Sequence, residues 1–350
     1  MPSRLLKLLL IIAIPLILLS VSSTWIMEWL WMSELGYSRV FWTLRGTQVL
    51  LTVGACFVAG IYLVLNFRYL ADQLRYVNFT GTPLQNINLN LADPAQHKRL
   101  KQLFTLAALG LTFIFAVGFY IRWDESLRFL WNMPFGEADP LFGRDIGFYL
   151  FQLPFWEVMQ TSLVVITFLM TAILVMSYIF TGLLSAQSGE GLQAKPEILT
   201  HIKLNAALWL AILAWGFFLD RYGLLFKSDG IVFGAGYADI SIVLPAIWIM
   251  FFLTLILAAM VLLSRWITFG KWIPAMAIAV VAVLILGRVI LPGAVQKFNV
   301  NPNELELETP YLEHNIEMTR LAIGLDNVHE IEYEADDTLG ISDIRNNQDA

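Results

Sequence analysis

The 350-residue chain reads as an all-α integral membrane protein with about seven transmembrane helices, followed by the start of an α+β extracytoplasmic domain. Three observations point there. Only 14% of residues are charged while 58% are hydrophobic, roughly half the charge of an ordinary soluble domain, so a soluble fold has too little polar surface to cover its apolar groups. Uncharged apolar runs recur along residues 1–293 at the length a bilayer demands. After Pro292 the texture changes, with three Lys/Arg against thirteen Asp/Glu in residues 294–350, a net −10 beside +4 for the preceding part.

A hydrocarbon core of about 30 Å needs about 20 mostly apolar residues at about 1.5 Å each. Seven runs meet or approach this, near residues 5–24, 47–67, 103–121, 158–181, 204–219, 240–263 and 272–291. In lipid the backbone must satisfy its own hydrogen bonds, so these runs are expected as helices. The first follows Arg4 and Lys7 and lacks a clean small-x-small cleavage site, which favours an uncleaved helix over a signal peptide. The fifth is short and the seventh contains Arg288.

With the N-terminus cytoplasmic, eleven Lys/Arg fall in cytoplasmic segments and seven in the opposite loops, the asymmetry of the positive-inside rule. This orientation makes residues 1–293 a polytopic domain of the plasma membrane and places the acidic segment 294–350 outside the cytoplasm. The outward loop from Trp25 to Trp42 is rich in Trp and Tyr, which settle at headgroup level. The loop from Arg68 to Gln102 is polar, includes Thr80 to Pro83, and ends in His97, Lys98, Arg99 and Lys101, a basic cluster of the kind that sets topology.

Past the membrane runs, Asn301, Pro302 and Asn303 read as a hinge, and Glu304, Glu306 and Glu308 alternate with leucines at strand period. Thr309 and Pro310 then open a helix with Leu312, Ile316, Thr319 and Ile323 on one face and Gly324 as its stop. Asp336 to Ala350 is polar and expected to be loose. Too little chain follows to bury that helix face, so the segment is expected to be the opening of a larger domain.

Chemistry-bearing motifs are sparse. No H-E-x-x-H, Walker A, G-x-S-x-G or dinucleotide fingerprint occurs, so no cofactor, metal or catalytic residue is assigned. The lone Cys56 supports neither a disulfide nor a cysteine metal site within the chain, and His97, His201, His314 and His329 are too scattered to share an ion. The three glutamates alternate along one face instead of wrapping a calcium ion. Phe233 to Tyr237 is Gly-rich but lacks the strand and helix context of a phosphate loop, and is expected as a tight turn. The acidic balance excludes nucleic acid as a partner, leaving the lipid bilayer and other cell-envelope proteins.

The binding candidates are therefore charges in apolar or near-membrane settings: Arg144, Asp145, Asp239 and Arg288. Arg144 and Asp145 are expected to pin an aromatic loop by an ion pair or a cap. Arg288 is expected to snorkel to its helix end, and Asp220 to pair with Arg221. One internal echo is present: Leu141 to Asp145 resembles Leu225 to Asp229, and each is followed by Leu-Pro, at Leu153-Pro154 and Leu244-Pro245.

Four stretches together carry a resemblance. Trp31 to Thr43 (W-M-S-E-L-G-Y-S-R-V-F-W-T), Pro140 to Trp156 (P-L-F-G-R-D-I-G-F-Y-L-F-Q-L-P-F-W), Phe233 to Pro245 (F-G-A-G-Y-A-D-I-S-I-V-L-P) and Val295 to Leu325 resemble uncharacterised protein family 0182 of bacteria. The resemblance implies a large membrane protein with N-terminal helices and a long extracytoplasmic region, and it carries no catalytic residues because that family has no established activity. It also implies that this sequence is a truncated member or fragment. The function expected first is to anchor an extracytoplasmic partner-binding or assembly domain in the cell envelope. A transporter or channel is the alternative, and an outer-face membrane enzyme using Arg144, Asp145 or Asp239 is the third.

Overall fold

The computed structural model describes residues 2–77, 91–187, 191–228 and 233–325, with residues 328 and 345. Thr80 to Pro83, Asp229, His329 and most of the stretch from 336 to 350 lie outside the described residues, as do most side chains before residue 22.

The helices are α1 (Pro2–Glu34), α2 (Ser38–Gln73), α3 (Pro94–Ile121), α4 (Trp123–Leu130), α5 (Leu153–Phe180), α6 (Pro196–Asp220), α7 (Leu244–Leu263), α8 (Trp272–Ile285), α9 (Leu291–Val295) and α10 (Glu304–Ala322). A two-stranded antiparallel ribbon, β1 (Ser185–Gln187) and β2 (Gly191–Gln193), links α5 to α6 with Ala186 opposite Leu192. Among the described residues six helical stretches are long and apolar enough to cross a membrane: Ser38–Gln73, Pro94–Ile121, Phe148–Phe180, Pro196–Asp220, Asp239–Leu263 and Trp272–Ala322. They contain the second to seventh apolar runs. The first run is helical, inside α1, but six stretches, not the expected seven, are long and apolar enough to cross a membrane among the described residues.

The helices outrun the bilayer. At about 1.5 Å per residue the 36 residues of α2 extend about 54 Å, well beyond a 30 Å hydrocarbon core. Only Leu35 to Tyr37 separates α1 from α2, with Gly36 at φ +79° supplying the left-handed turn, so the aromatic stretch expected as a loop from Trp25 to Trp42 is mostly helix. Arg45 ties α1, α2 and α3 together there: it pairs with Glu28, donates to the Gln48 and Tyr120 oxygens at 2.8 and 3.1 Å, and lies over the Trp25 ring.

α2 and α3 run antiparallel, as do α6 and α7, the start of one helix lying against the end of the other. His97 near the start of α3 meets Asp72 near the end of α2 at 3.1 Å, and Lys203 near the start of α6 donates to the Ser264 carbonyl just past α7 at 3.1 Å. One buried core, including Leu63, Leu70, Ala108, Met170, Leu174 and Ile198, joins α2, α3, α5 and α6. A second, around Phe217, Val243, Ile247 and Met250, joins α6 to α7. Large apolar side chains such as Leu50, Phe113, Ile114 and Phe252 face outward, which suits a lipid environment. The turn after α8 packs so closely on α7 that a Cβ on Gly287 would collide with the Ala246 methyl carbon, the small-residue packing of membrane helices.

Four X–Pro steps share one device. The N–H of Leu153, Leu244, Leu291 and Asn301, each just before a proline, reaches the carbonyl five residues back, on Phe148, Asp239, Leu286 and Gln296. Proline has no N–H and its ring collides with the carbonyl four residues earlier, so widening the preceding turn by one residue makes room without breaking the helix. Through two of these turns and a short 3₁₀ turn at Asn301–Asn303, the helical path continues from Trp272 to Ala322. The hinge expected at Asn301 is therefore a turn within that path, and Glu304 to Glu308, expected as strand, form the first turns of α10.

Candidate functional site

Three segments converge at the end of the helices where α10 lies: the connection from Trp131 to Gly147, the described residues 221–228 and 233–238 between α6 and α7, and α10 itself. Each is held by a carboxylate that accepts from backbone N–H groups, joined in the second by a lysine.

Asp139, only 7% exposed, organises the first. Its carboxylate accepts from the backbone of Leu141, Phe142 and Arg144 at 2.9, 2.6 and 2.9 Å and from the Tyr149 hydroxyl at 2.6 Å. Asp145 accepts from Phe135, Gly136 and Gly147 N–H at 2.9, 2.9 and 2.7 Å. The donors of Phe135 and Gly136 hold its carboxyl below the usual range, opposed by partial desolvation and helped by Gly147. A Cβ on Gly147 would lie 2.5 Å from the Met133 carbonyl oxygen and 2.8 Å from Asp145 Oδ1, so the loop requires glycine there. Arg144 does not pair with Asp145; it is exposed and lies over the Phe148 ring at 5.5 Å.

In the second segment Asp239 receives Lys227 Nζ at 2.6 Å and the Gly236 N–H at 3.2 Å. The third docks onto this turn: Glu308, 4% exposed, accepts the Tyr237 N–H on both oxygens at 3.2 and 3.1 Å, and Asn315 donates to the Phe233 carbonyl at 2.8 Å. A Cβ on Gly236 would come to 3.0 Å from the Glu308 carboxylate, so the Gly-rich turn binds a carboxylate of its own chain. Between the three segments lies a cavity of about 200 Å³ to which Leu141, Leu225, Tyr311 and His314 contribute, and beside it a groove of about 620 Å³ bordered by Glu137, Pro140, Glu313, Ile316, Glu317 and Leu321. Leu141 and Leu225, the first residues of the two echoing motifs, thus line one cavity.

Arg288 sits at the widened turn between α8 and α9 and donates to Asp220 of α6 at 2.7 Å. That contact replaces the expected Asp220–Arg221 pair. Arg221 instead donates to the Tyr222 hydroxyl at 2.5 Å, with its guanidinium 3.9 Å from the Phe218 ring centre and 4.9 Å from that of Trp248. Asp145 and Asp239 belong to the convergent segments, whereas Arg288 pairs with Asp220 at the end of α6.

Sequence reasoning missed two features. Asp139 followed by Pro140 is a turn-initiating dipeptide and could have been read as such. The other is a buried polar network among α2, α5 and α6. Tyr62 donates to Asn205 Oδ1 at 2.7 Å, Asn205 Nδ2 and His201 Nε2 both reach Asn66 Oδ1 at 2.8 Å, and the Tyr178 hydroxyl meets His201 Nδ1 at 2.8 Å. If Tyr178 donates, His201 carries its proton on Nε2 and every contact is satisfied. The i, i+4 pairs Tyr62/Asn66 and His201/Asn205 were the available signal. Among the described residues no group of three or more His, Cys, Asp or Glu is placed to hold a metal ion.

Comparison with known proteins gives the relatives. The profile of the uncharacterised protein family UPF0182 matches residues 5–350. A UPF0182 protein of Salinibacter ruber is 37% identical over 99% of this chain and 37% of its own length, one of Trichodesmium erythraeum is 35% identical over 97% and 37%, and one of Geobacter sp. strain M21 is 32% identical over 91% and 36%. The chain spans a little over a third of these relatives. No solved structure matches it. With a family match over nearly its whole length, the chain belongs to the uncharacterised protein family UPF0182.

Proposed function

We propose that the membrane helices of this chain anchor and orient a partner-binding or assembly region on the extracytoplasmic face of the bacterial plasma membrane, with the N-terminus cytoplasmic and residues 294–350 outside. The observation that carries this reading is the docking of α10: the buried Glu308 carboxylate on the Tyr237 N–H and the Asn315 contact to Phe233 hold the helix against the loop cluster. A segment that only trailed from the membrane would need no buried carboxylate to set its angle, since burying one without its hydrogen bonds is costly. The groove beside Ile316 and Leu321 offers apolar surface rimmed by Glu137, Glu313, Glu317 and Arg320. Partner proteins of the cell envelope are its intended occupants.

The test is photo-crosslinking in intact cells from a probe at Ile316, whose side chain is 56% exposed. A discrete protein adduct that disappears in Glu308→Ala while the chain still inserts supports the reading. Loss of any adduct from the unaltered chain, or an adduct indifferent to Glu308→Ala, counts against it.

A transporter is the second reading, and it draws on the echo: α5 and α7 each follow an aspartate-held loop and a widened turn before Leu-Pro, a local similarity of the kind duplicated transporter halves display. Flux in reconstituted vesicles that vanishes in Arg288→Leu would favour it. Asp145 and Asp239 spend their oxygens on backbone N–H groups and Lys227, which supports a structural role for them over the outer-face enzyme.

A further inference from the structure

At the loop-cluster end of α5, a cleft of about 380 Å³ separates the end of α3 and α4 from the first turns of α5, within the range of about 300–1,000 Å³ typical of small-molecule sites. Its lower wall, Phe119 and Val158, belongs to two apolar runs, and its upper part carries Arg122, Glu125 and Glu157. Trp156 and Phe155 flank Glu157 in sequence, and their rings sit 5.5 Å apart while Trp156 also meets Trp215 at 6.1 Å. Such aromatic clustering at the end of an apolar run marks headgroup level. The cleft therefore spans the boundary between acyl chain and headgroup.

Its charges do not balance. Arg122 is answered by Glu125 at 3.1 Å, with the arginine side chain 57% exposed. Glu157 is exposed and makes no ion pair or hydrogen bond among the described residues; the charged group acting on it is Asp220, another carboxylate. A carboxylate at the edge of the hydrocarbon region without a cation is costly and normally marks a ligand or a path.

We infer that this cleft binds the headgroup of an ethanolamine phospholipid, its ammonium on Glu157 and its phosphate on the exposed face of Arg122, with the glycerol end against Thr161 and Ser162. A primary ammonium brings three N–H donors to a carboxylate that has none, and Arg122 is suited to phosphate. A choline headgroup lacks N–H donors, and a glycerol headgroup adds negative charge with no cation for Glu157. The order of preference is ethanolamine, then choline, then glycerol.

The test uses the full chain, purified in mild detergent, stripped of lipid, and titrated with phosphatidylethanolamine, phosphatidylcholine or phosphatidylglycerol of identical acyl chains, with bound lipid read by native mass spectrometry. Retention of the ethanolamine lipid about tenfold above the glycerol lipid, the scale of one charge-assisted hydrogen bond, is expected. Glu157→Gln, at an exposed unpaired position, should bring the two lipids level, and Arg122→Gln should lower retention of the ethanolamine lipid. Equal retention of the two lipids by the unaltered chain overturns the inference without any variant. So does undiminished ethanolamine retention in Glu157→Gln.

Discussion

Arg288 and Asp220 meet at 2.7 Å across the contact between α6 and the widened turn after α8, and both side chains remain about a third exposed, at 34% and 40%. Arg288 therefore has a carboxylate partner, yet the pair is open enough for solvent or headgroups to screen it. A double-mutant cycle with Arg288→Leu and Asp220→Leu, read by thermal unfolding in detergent, should give a coupling no larger than about 1 kcal/mol. A larger coupling would mean that the pair is far less screened than its exposure implies.

Glu308 is the opposite case, a carboxylate almost fully enclosed against the Tyr237 N–H. Glu308→Ala removes a charge-assisted acceptor and leaves a buried donor unmet, a loss of about 1.5–3 kcal/mol. Glu308→Gln keeps an acceptor oxygen and should lose less. Amide exchange at Tyr237 and protease cutting within residues 304–322 should both rise in the alanine variant and much less in the glutamine one. Gly236→Ala should resemble the alanine variant, because the added methyl group crowds the carboxylate.

The network around His201 predicts non-additivity. Asn66 Oδ1 accepts from both His201 and Asn205, so Asn66→Ala strands two donors at once. Hydrogen bonds between membrane helices average about 0.6 kcal/mol and reach about 1.7. Asn66→Ala should cost about 1–3 kcal/mol in detergent unfolding, and adding Asn205→Ala should cost less than the sum of the two single changes. Strict additivity would show that the contacts act independently.

These residues also show what a linear reading can reach. Bilayer thickness imposes long uncharged runs, so six helices with their approximate centres were visible. Their ends were not, because nothing in lipid thickness stops a helix at the headgroups: α1 and α2 continue until only Leu35 to Tyr37 turns the chain. Asp145 stood out by its apolar surroundings. Its backbone partners Phe135 and Gly136 could not be named, since they depend on the loop folding back. Glu304 to Glu308 alternate like a strand, but the helical path arriving from α8 and the Tyr237 N–H waiting for Glu308 decide the matter, and both are tertiary facts. The Arg288–Asp220 contact joins residues 68 apart in sequence, and no local pattern announces it.

Asp145 makes the loop from Trp131 to Gly147 sensitive to acid. Its folded carboxyl titrates below the unfolded value of about 3.9, chiefly through the Phe135 and Gly136 N–H groups. A depressed folded value means that the stabilisation is complete above the unfolded value and is lost as pH falls through the folded one. Amide exchange across this loop, corrected for intrinsic rates, should be level from pH 7 down to about 5 and accelerate below about 4. Asp145→Asn should be more mobile throughout and lose most of that acid step. An unchanged step in the variant would assign it to another carboxylate.

The proposed orientation can be decided by labelling. Cys56 is the only cysteine, so a Cys56→Ala chain is a clean background for single cysteines. Phe298, 75% exposed in the stretch leading to α10, and the exposed Lys98 near the start of α3 lie on opposite sides if the N-terminus is cytoplasmic. In intact spheroplasts a membrane-impermeant maleimide should modify Phe298→Cys and leave Lys98→Cys untouched until lysis. The reverse pattern would turn the whole chain over and put α10 and its groove in the cytoplasm. Labelling of both positions before lysis would instead give an even number of crossings between them. Four of the six stretches long and apolar enough to cross a membrane, in α3, α5, α6 and α7, lie wholly between residues 98 and 298 or nearly so, and the fifth, through α8, supplies the odd crossing on which the prediction depends.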